Sequence, residues 1–219
     1  MKTKKIALYG GGGFGREVAW LIQSCSSLDT SYEVVCFIDD DISKRGTEIN
    51  GFVVMDIEKA RRVFPEAYIV CVVGNPQTRQ KLIEKASKTG FGFETIVHPG
   101  TEKSKWLDIG IGTIICAGNI LTTNIIIGQH VHINLDCTVG HDVVLGDFTT
   151  IAPGVHISGW VHCGKRVYIG TGAVIVNGTE DHPIKIGNDV TIGAGACVTN
   201  SVMSGATVVG IPAKPLVRK

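Results

Sequence analysis

An apolar residue returns at every sixth position through most of the second half of this chain. From Ile109 the series runs through Ile115, Leu121, Ile127, Ile133, Val139, Leu145, Ile151, Ile157, Cys163, Ile169 and Ile175. Eleven of these twelve are Ile, Leu or Val, too regular a series for composition to explain. The fifth position of each hexad is mostly small or β-branched (Thr113, Val131, Cys137, Val143, Thr149, Val155, Val161, Val167, Ala173). Glycine often follows the apolar residue, at Gly110, Gly128, Gly140, Gly146, Gly164 and Gly170. The register lapses over 176–185 and resumes at Ile186, Ile192 and Val198. A period of six is neither helical nor that of a half-buried strand. It suits a three-sided coil in which each hexad builds one face. The apolar residue points inward, and glycine takes corner conformations that a Cβ opposes. Residues eighteen apart then stack, and the tracts amount to roughly fifteen hexads, or about five turns. A β-sandwich would alternate at period two with turns every ~8–12 residues, and the sequence does not.

The first half has a different grammar. Lys5–Tyr9, Glu33–Ile38, Tyr68–Val73 and Phe93–Val97 read as buried strands, with helices from Arg16 to Ser24 and from Pro76 to about Thr89. Pro76 is well suited to a first helical position. Strand–helix alternation with continuous apolar strands predicts a parallel sheet covered by helices, a truncated form of the doubly wound fold. The fold class expected is therefore α/β plus all-β. A small Rossmann-like parallel-sheet domain over residues 1–100 precedes a parallel β-helix of hexapeptide repeats over 101–219. His98-Pro99-Gly100 marks the joint.

Composition removes several function classes. The formal net charge is +1, which gives no electrostatic reason to expect nucleic acid or an anionic membrane as partner. No apolar run approaches ~18 residues, and the basic start runs into glycines as a buried strand rather than a signal peptide. The seven cysteines lack CxxC spacing and lie mostly in apolar runs, as reduced core residues of a cytoplasmic protein do.

Two places carry chemistry. His141 holds the third position of its hexad, which points outward, away from a core that has no use for an imidazole. Asp142 follows it and can orient or polarise the ring. Such a histidine can serve as a general base near neutral pH. Gly159 lies eighteen residues on, so it stacks beside His141 and leaves a groove there. The second place is Gly10-Gly11-Gly12-Gly13-Phe14-Gly15, a GxGxxG turn between a strand and a helix, where backbone N–H groups can approach a phosphate. Asp39 and Asp40 end the next strand, where an acid can meet ribose hydroxyls. Taken alone the loop suggests NAD. The domain is too short for two nucleotide-binding halves, however, and it is fused to the hexad coil. His132, His156 and His162 share outward sixth positions, His130 lies nearby, and His182 sits in the surface loop GTEDHP.

The runs LGDFTTIAPGVHISG (145–159) and IGNDVTIGAGACVTNSV (186–202), with the ending GATVVGIPAKPLVRK, resemble the hexapeptide-repeat acyltransferases. With YGGGGFGREV, FIDDD, VVGNPQTR and VGHD in that order, nearly the whole chain resembles the sialic-acid and bacillosamine-type sugar acyltransferases. The resemblance implies a left-handed coil, a homotrimer with active sites between subunits, and acetyl transfer from acetyl-CoA to a nucleotide-activated sugar in surface glycan synthesis. It implies His141 as base supported by Asp142. It places acetyl-CoA against Thr150, Gly159, Thr171 and Ala194, largely through backbone groups. A UDP-sugar is expected on Gly12, Gly13, Phe14, Asp39, Asp40 and Gly74. Phe14 and Thr150 depart from the family, where His can stand at either place. Lys214 and Arg218 are candidate partners of the CoA phosphates. Hexad-coil carbonic anhydrases use a pair of His five residues apart, which this chain lacks, so no metal is expected. N-acetylation of an amino sugar is the leading expectation. O-acetylation of sialic acid or a related hydroxyl sugar, and a non-catalytic sugar-nucleotide-binding trimer, remain the alternatives.

Overall fold

A computed structural model describes residues 2–25 and 30–216 and divides the chain into two compact units, Met1–Pro99 and Gly100–Lys219.

The first unit is built on β1 (Lys2–Tyr9), α1 (Gly13–Gln23), β2 (Thr30–Ile38), β3 (Glu48–Ile49), β4 (Phe52–Met55), α2 (Ile57–Val63), β5 (Tyr68–Cys71), α3 (Pro76–Ser87) and β6 (Gly92–Phe93). The sheet order is β3-β4-β2-β1-β5-β6, parallel except for the β3–β4 hairpin. Strand order reverses direction at β1, so the crevice at the C-terminal ends of β1, β2 and β5 is the topological switch point. Ile6, Ala7, Leu8, Cys36, Phe37, Ile38, Ile69 and Val70 are fully buried, which explains why β1, β2 and β5 read as unbroken apolar runs. Asn75 caps α3 by accepting from the Thr78 N–H at 2.8 Å, with Pro76 in its first turn. The β3–β4 hairpin and α2 are additions to the sequence reading, and α1 starts three residues earlier, at Gly13.

The second unit is a left-handed parallel β-helix. Its first face carries Ile114–Ile115, His132–Ile133, Thr150–Ile151, Tyr168–Ile169, Thr191–Ile192 and Thr207–Val209. Its second carries Glu102–Lys103, Ile120–Leu121, Thr138–Val139, His156–Ile157, Val174–Ile175 and Cys197–Val198. Its third carries Leu107–Ile109, Ile125–Ile127, Val144–Leu145, Val161–Cys163 and Ile184–Ile186. Eighteen-residue stacking is direct: Ile115 pairs with Ile133, Ile133 with Ile151, and Ile151 with Ile169. The second face starts at Glu102, ahead of the first hexad legible at Ile109. The register lapse is a bulge. Val161 pairs with Ile184, so five extra residues loop out, closed by the paired Thr179 and His182 backbones.

The core is as the hexads imply. The fifth-position residues Val131, Val143, Val155 and Val167 are fully buried beneath the first-position residues, and the hydroxyls of buried Thr113 and Thr149 donate to Gly128 O and Gly164 O. Buried Asn119 donates to Cys116 O and Asn134 O and accepts from the Cys137 N–H, so its burial leaves none of these groups unpaired.

Two expectations need correction. Positive φ does not fall on the glycines that follow the apolar residue. It falls two positions later, on Gly112, Gly118, Asn124, His130, Asp136, Asp142, Phe148, Gly154, Trp160, Arg166 and Gly172. The earlier glycines are required by proximity instead. A Cβ on Gly140 or Gly170 would lie 2.7 or 2.6 Å from a backbone nitrogen of the next coil. His132 and His130 are also not on solvent. They are 1% and 3% exposed, and Ile114 and Thr150, which flank His132 on the same face, are buried too, while Tyr168 farther along is exposed. His130 stacks on Phe148 at 5.3 Å.

Candidate functional site

His141 lies at the corner where the second face turns into the third. Asp142 occupies the left-handed position of that corner with φ +58°, its N–H held by Thr123 O. This conformation folds the carboxylate back beside its own neighbour, and His141 Nδ1 and Asp142 Oδ2 are 2.8 Å apart. A carboxylate only accepts, so Nδ1 carries the proton and Nε2 presents its lone pair. Asn124, eighteen residues before Asp142 and also left-handed, donates from Nδ2 to Asp142 Oδ1 at 3.2 Å. The carboxylate is thereby held at both oxygens. Trp160 meets the imidazole edge-on, with ring centroids 6.4 Å apart. The His141 side chain is 54% exposed.

Gly159 sits beside the ring as the stacking rule requires. A Cβ there would lie 2.5 Å from both Cε1 and Nε2 of His141. Only glycine leaves the imidazole where it is.

Thr171 and Ala194 occupy a different corner, between the first and second faces. They are exposed and one coil apart, with Gly195 N–H donating to Thr171 O at 2.8 Å. Thr150 belongs to neither corner. It lies within the first face, 6% exposed, and its N–H is committed to Val167 O. Within one chain the other site candidates on the coil therefore fall into two groups separated by the width of a face, with Thr150 in neither. Lys214 is exposed in a short antiparallel pairing with Val209, and Arg218 lies outside the described residues.

The glycine loop lies at the switch point of the first unit. Gly10 has φ +127°, and a Cβ there would press on Val73. A Cβ on Gly15 would collide with the Gly10 carbonyl, so this glycine permits close helix–strand packing. Gly12 caps α1 with no side-chain cap and no acid in the first turn, and Gly12 and Gly74 face open space. The helix end thus presents its N–H groups outward. Phe14 is half-buried within the first turn. A pocket of about 380 Å³ opens here, lined by Gly11, Gly12, Gly13, Arg16, Glu48, Ile49 and Asn50.

Asp39 builds this loop. Its Oδ2 accepts from the Gly11 N–H at 2.8 Å and from Lys44 Nζ at 2.9 Å, and its Oδ1 accepts from the Asp41 N–H. Burial pushes its carboxyl up, but the Asp41 N–H, the Lys44 ammonium and the Gly11 N–H outweigh it and hold the group below the usual carboxylate range. Asp40 accepts from the Tyr9 hydroxyl at 2.9 Å and from Lys85 Nζ at 2.6 Å.

The first unit matches the family model of the PglD N-terminal domain over residues 5–86. GDP-perosamine N-acetyltransferase of Escherichia coli O157:H7 is 35% identical over 217 residues, covering 96% of each chain. The chain belongs to the hexapeptide-repeat sugar N-acetyltransferase family. Among solved structures, WeeI from Acinetobacter baumannii AYE is 36% identical with a TM-score of 0.88, covering 98% of this chain and 100% of its own. The acetyltransferase domain of PglB from Neisseria gonorrhoeae FA1090, in complex with acetyl coenzyme A, is 34% identical with a TM-score of 0.85 at the same coverage.

Around the candidate site of this acetyltransferase stand residues that sequence reading missed. Arg16, Glu48 and Asn50 complete the pocket at the glycine loop, and the latter two come from a hairpin too short to leave a periodic signal. Arg79 is fully buried and donates from Nη1 to Val73 O at 2.8 Å and Gly74 O at 3.2 Å, fixing the turn after β5. Burial pulls its guanidinium down to about 10, so it stays charged at neutral pH. Asn124 was legible in principle, because it lies one coil before Asp142. Among the described residues no group of three or more His, Cys, Asp or Glu is placed to hold a metal ion.

Proposed function

We propose that this protein transfers the acetyl group of acetyl-CoA to the amino group of a nucleotide-activated sugar, with His141 as general base. The observation that carries the proposal is the His141–Asp142 pair beside Gly159. An imidazole on the outer surface of the coil has its proton fixed on Nδ1, its basic Nε2 available, and its ring edge seated over the side-chain-free Gly159. The amine nitrogen attacks the thioester carbonyl. Nε2 accepts the proton the nitrogen must lose, the sulfur–carbon bond breaks, and the imidazolium returns that proton to the departing sulfur so that CoA leaves as the thiol. Asp142 stabilises the imidazolium that forms. Direct attack is favoured over an acyl-enzyme, since burial pushes the Cys36, Cys71 and Cys163 thiols up to about 12, well above neutrality.

The first unit holds the nucleotide, with its phosphates at the α1 N-terminus and Arg16, and with Gly12, Gly13, Phe14, Asp40 and Gly74 around it. Asp39 supports that site by shaping the loop. UDP is the nucleotide implied by the sequence resemblance. A GDP-sugar is the second reading, favoured by the perosamine enzyme matched across nearly the full chain.

Acetyl-CoA lies along Gly159, Thr171 and Ala194. These residues occupy two different corners of the coil, which supports a homotrimer in which one protomer's corner meets the other corner of its neighbour. The setting is surface glycan synthesis from a cytoplasmic pool, consistent with seven cysteines that form no disulfide. No helix among the described residues is long and apolar enough to cross a membrane.

The test is incubation with acetyl-CoA and a panel of UDP- and GDP-linked amino sugars and free sialic acid, reading thiol release and product mass. An N-acetylated sugar nucleotide supports the proposal. Acetylated sialic acid moves the assignment to the O-acetyltransferase, and no thiol release with any acceptor leaves the non-catalytic binding trimer.

A further inference from the structure

A surface histidine has two free torsions, and a single hydrogen bond holds only one of its atoms. Asp142 holds His141 at Nδ1, yet a ring held at one point can still rock about that contact. The side chain is largely exposed, so core packing does not supply the missing restraint.

Two residues one coil further on do supply it. The Cε1–Nε2 edge of the imidazole lies over Gly159, where a Cβ would come within 2.5 Å of both atoms. Trp160 stands beside the ring, its indole at 84° to the imidazole with centroids 6.4 Å apart, a favourable edge-to-face arrangement for two aromatic rings. The glycine is the floor of a seat and the tryptophan its wall. Floor and wall are themselves fixed. The Trp160 N–H donates to His141 O and the Ile184 N–H to Trp160 O, both at 3.0 Å, and the Gly178 N–H donates to Gly159 O at the same distance. Gly178 and Ile184 flank the bulge, so its two ends are bonded to the backbone of the seat. The fit there is close, since a Cβ on Gly178 would lie 2.6 Å from Trp160 O.

Trp160 also takes the left-handed corner position, φ +57°, that Asn124 and Asp142 take one and two coils earlier in the same column. That conformation tolerates Asn and Asp and disfavours a bulky side chain. Trp160 is only half-buried, so burial does not account for its presence. What it touches there is the imidazole.

We infer that Trp160 is a positioning residue for His141: its indole fixes the plane of the imidazole, so that Asp142 sets which nitrogen carries the proton and Trp160 sets where the other nitrogen points. The inference rests on the acetyl-transfer reading above and gives Trp160 no contact with either substrate. A base must lie within hydrogen-bond reach of the proton it takes, and each further orientation its ring samples lowers the rate.

The test uses full-length Trp160→Asn, Trp160→Gly and Trp160→Phe. Asn and Gly occupy this corner conformation elsewhere in the coil, so they remove the ring without straining the backbone. Each should lower kcat about tenfold or more while the KM values for acceptor and acetyl-CoA stay within about threefold, and Phe should restore most of kcat. Trp160→Asn combined with His141→Ala should be no slower than His141→Ala alone, because the indole acts only through the imidazole. An unchanged kcat, raised KM values, or losses that multiply in the double variant overturn the inference. Crystal structures of the wild type and Trp160→Asn give a readout independent of turnover: the variant should hold His141 in more than one rotamer, or away from Asp142. If the wild type acetylates no sugar, a released ring in the variant retains Trp160 as the brace while the catalytic reading falls. An unmoved ring rejects the brace whatever the kinetics.

Discussion

Gly159 and His141 stand one coil apart, and a methyl group on the glycine would lie 2.5 Å from Nε2 of the histidine. The glycine is not in the left-handed region, so its backbone tolerates alanine. The strain falls on the imidazole, an exposed side chain that can rotate away. Gly159→Ala should therefore cost about 10²-fold in kcat, as misplacement of a reacting group by ~1 Å does, with little change in Tm. Steady-state kinetics beside a thermal melt will show it. An unimpaired kcat would separate the imidazole from the chemistry.

His141→Ala should lower kcat about 10²-fold or more and leave the fold and oligomeric state intact, because the side chain is largely exposed. Asp142→Asn should also impair kcat. An amide can donate to Nδ1 and favour the tautomer whose proton is on Nε2, where the base is needed. The two variants combined should be no worse than His141→Ala alone, since the aspartate acts only through the histidine. Multiplicative losses would give Asp142 a role of its own.

Asp39 predicts an acid-sensitive loop. Its folded pKa lies below its unfolded value of ~3.9, so the carboxylate contributes its full stabilisation above that value. The contribution is lost as pH falls through the lower folded pKa. Asp39→Asn should lower stability at neutral pH and flatten the decline below about pH 4, measured by denaturant titration across pH. It should also weaken sugar-nucleotide binding, because Gly11 loses its anchor. An acid limb of unchanged steepness would show that the Lys44 and backbone contacts add nothing.

Arg79 predicts a structural cost remote from the coil. Arg79→Ala leaves the Val73 and Gly74 carbonyls without this donor and opens a cavity, a loss of about 3 kcal/mol by chemical denaturation. Arg79→Lys should recover only part of it, since an ammonium is more strongly hydrated and lacks the planar fork. Full recovery with lysine would reduce the role of the guanidinium to its charge alone.

The coil was largely legible because its period is geometric: one hexad makes one face, and eighteen residues bring the chain back to the same edge. The same rule placed Gly159 beside His141, and applied once more it finds Asn124 beneath Asp142. It did not find which residue bends at each corner. Gly, Asn, His, Asp, Phe, Trp and Arg all occupy that left-handed position, so composition gives no signal, and the glycines that are conspicuous serve close stacking instead. In the first unit, β3 and β4 are too short for a period to emerge. A single arginine in VVGNPQTR looks like any solvated helix residue until the fold buries it.

By itself the sequence determined the architecture, the edge on which the imidazole lies and the glycine turn at the end of β1, because each follows from spacing along the chain. Tertiary structure decided what those groups touch. It fixed the Nδ1 proton through the fold-back of Asp142, turned Asp39 from a ligand candidate into a brace for its loop, buried His130, His132 and Thr150, and split the coil's donor-site candidates between two corners. These outcomes depend on which strands come to lie side by side, and local spacing carries no information about a neighbour that is distant in sequence.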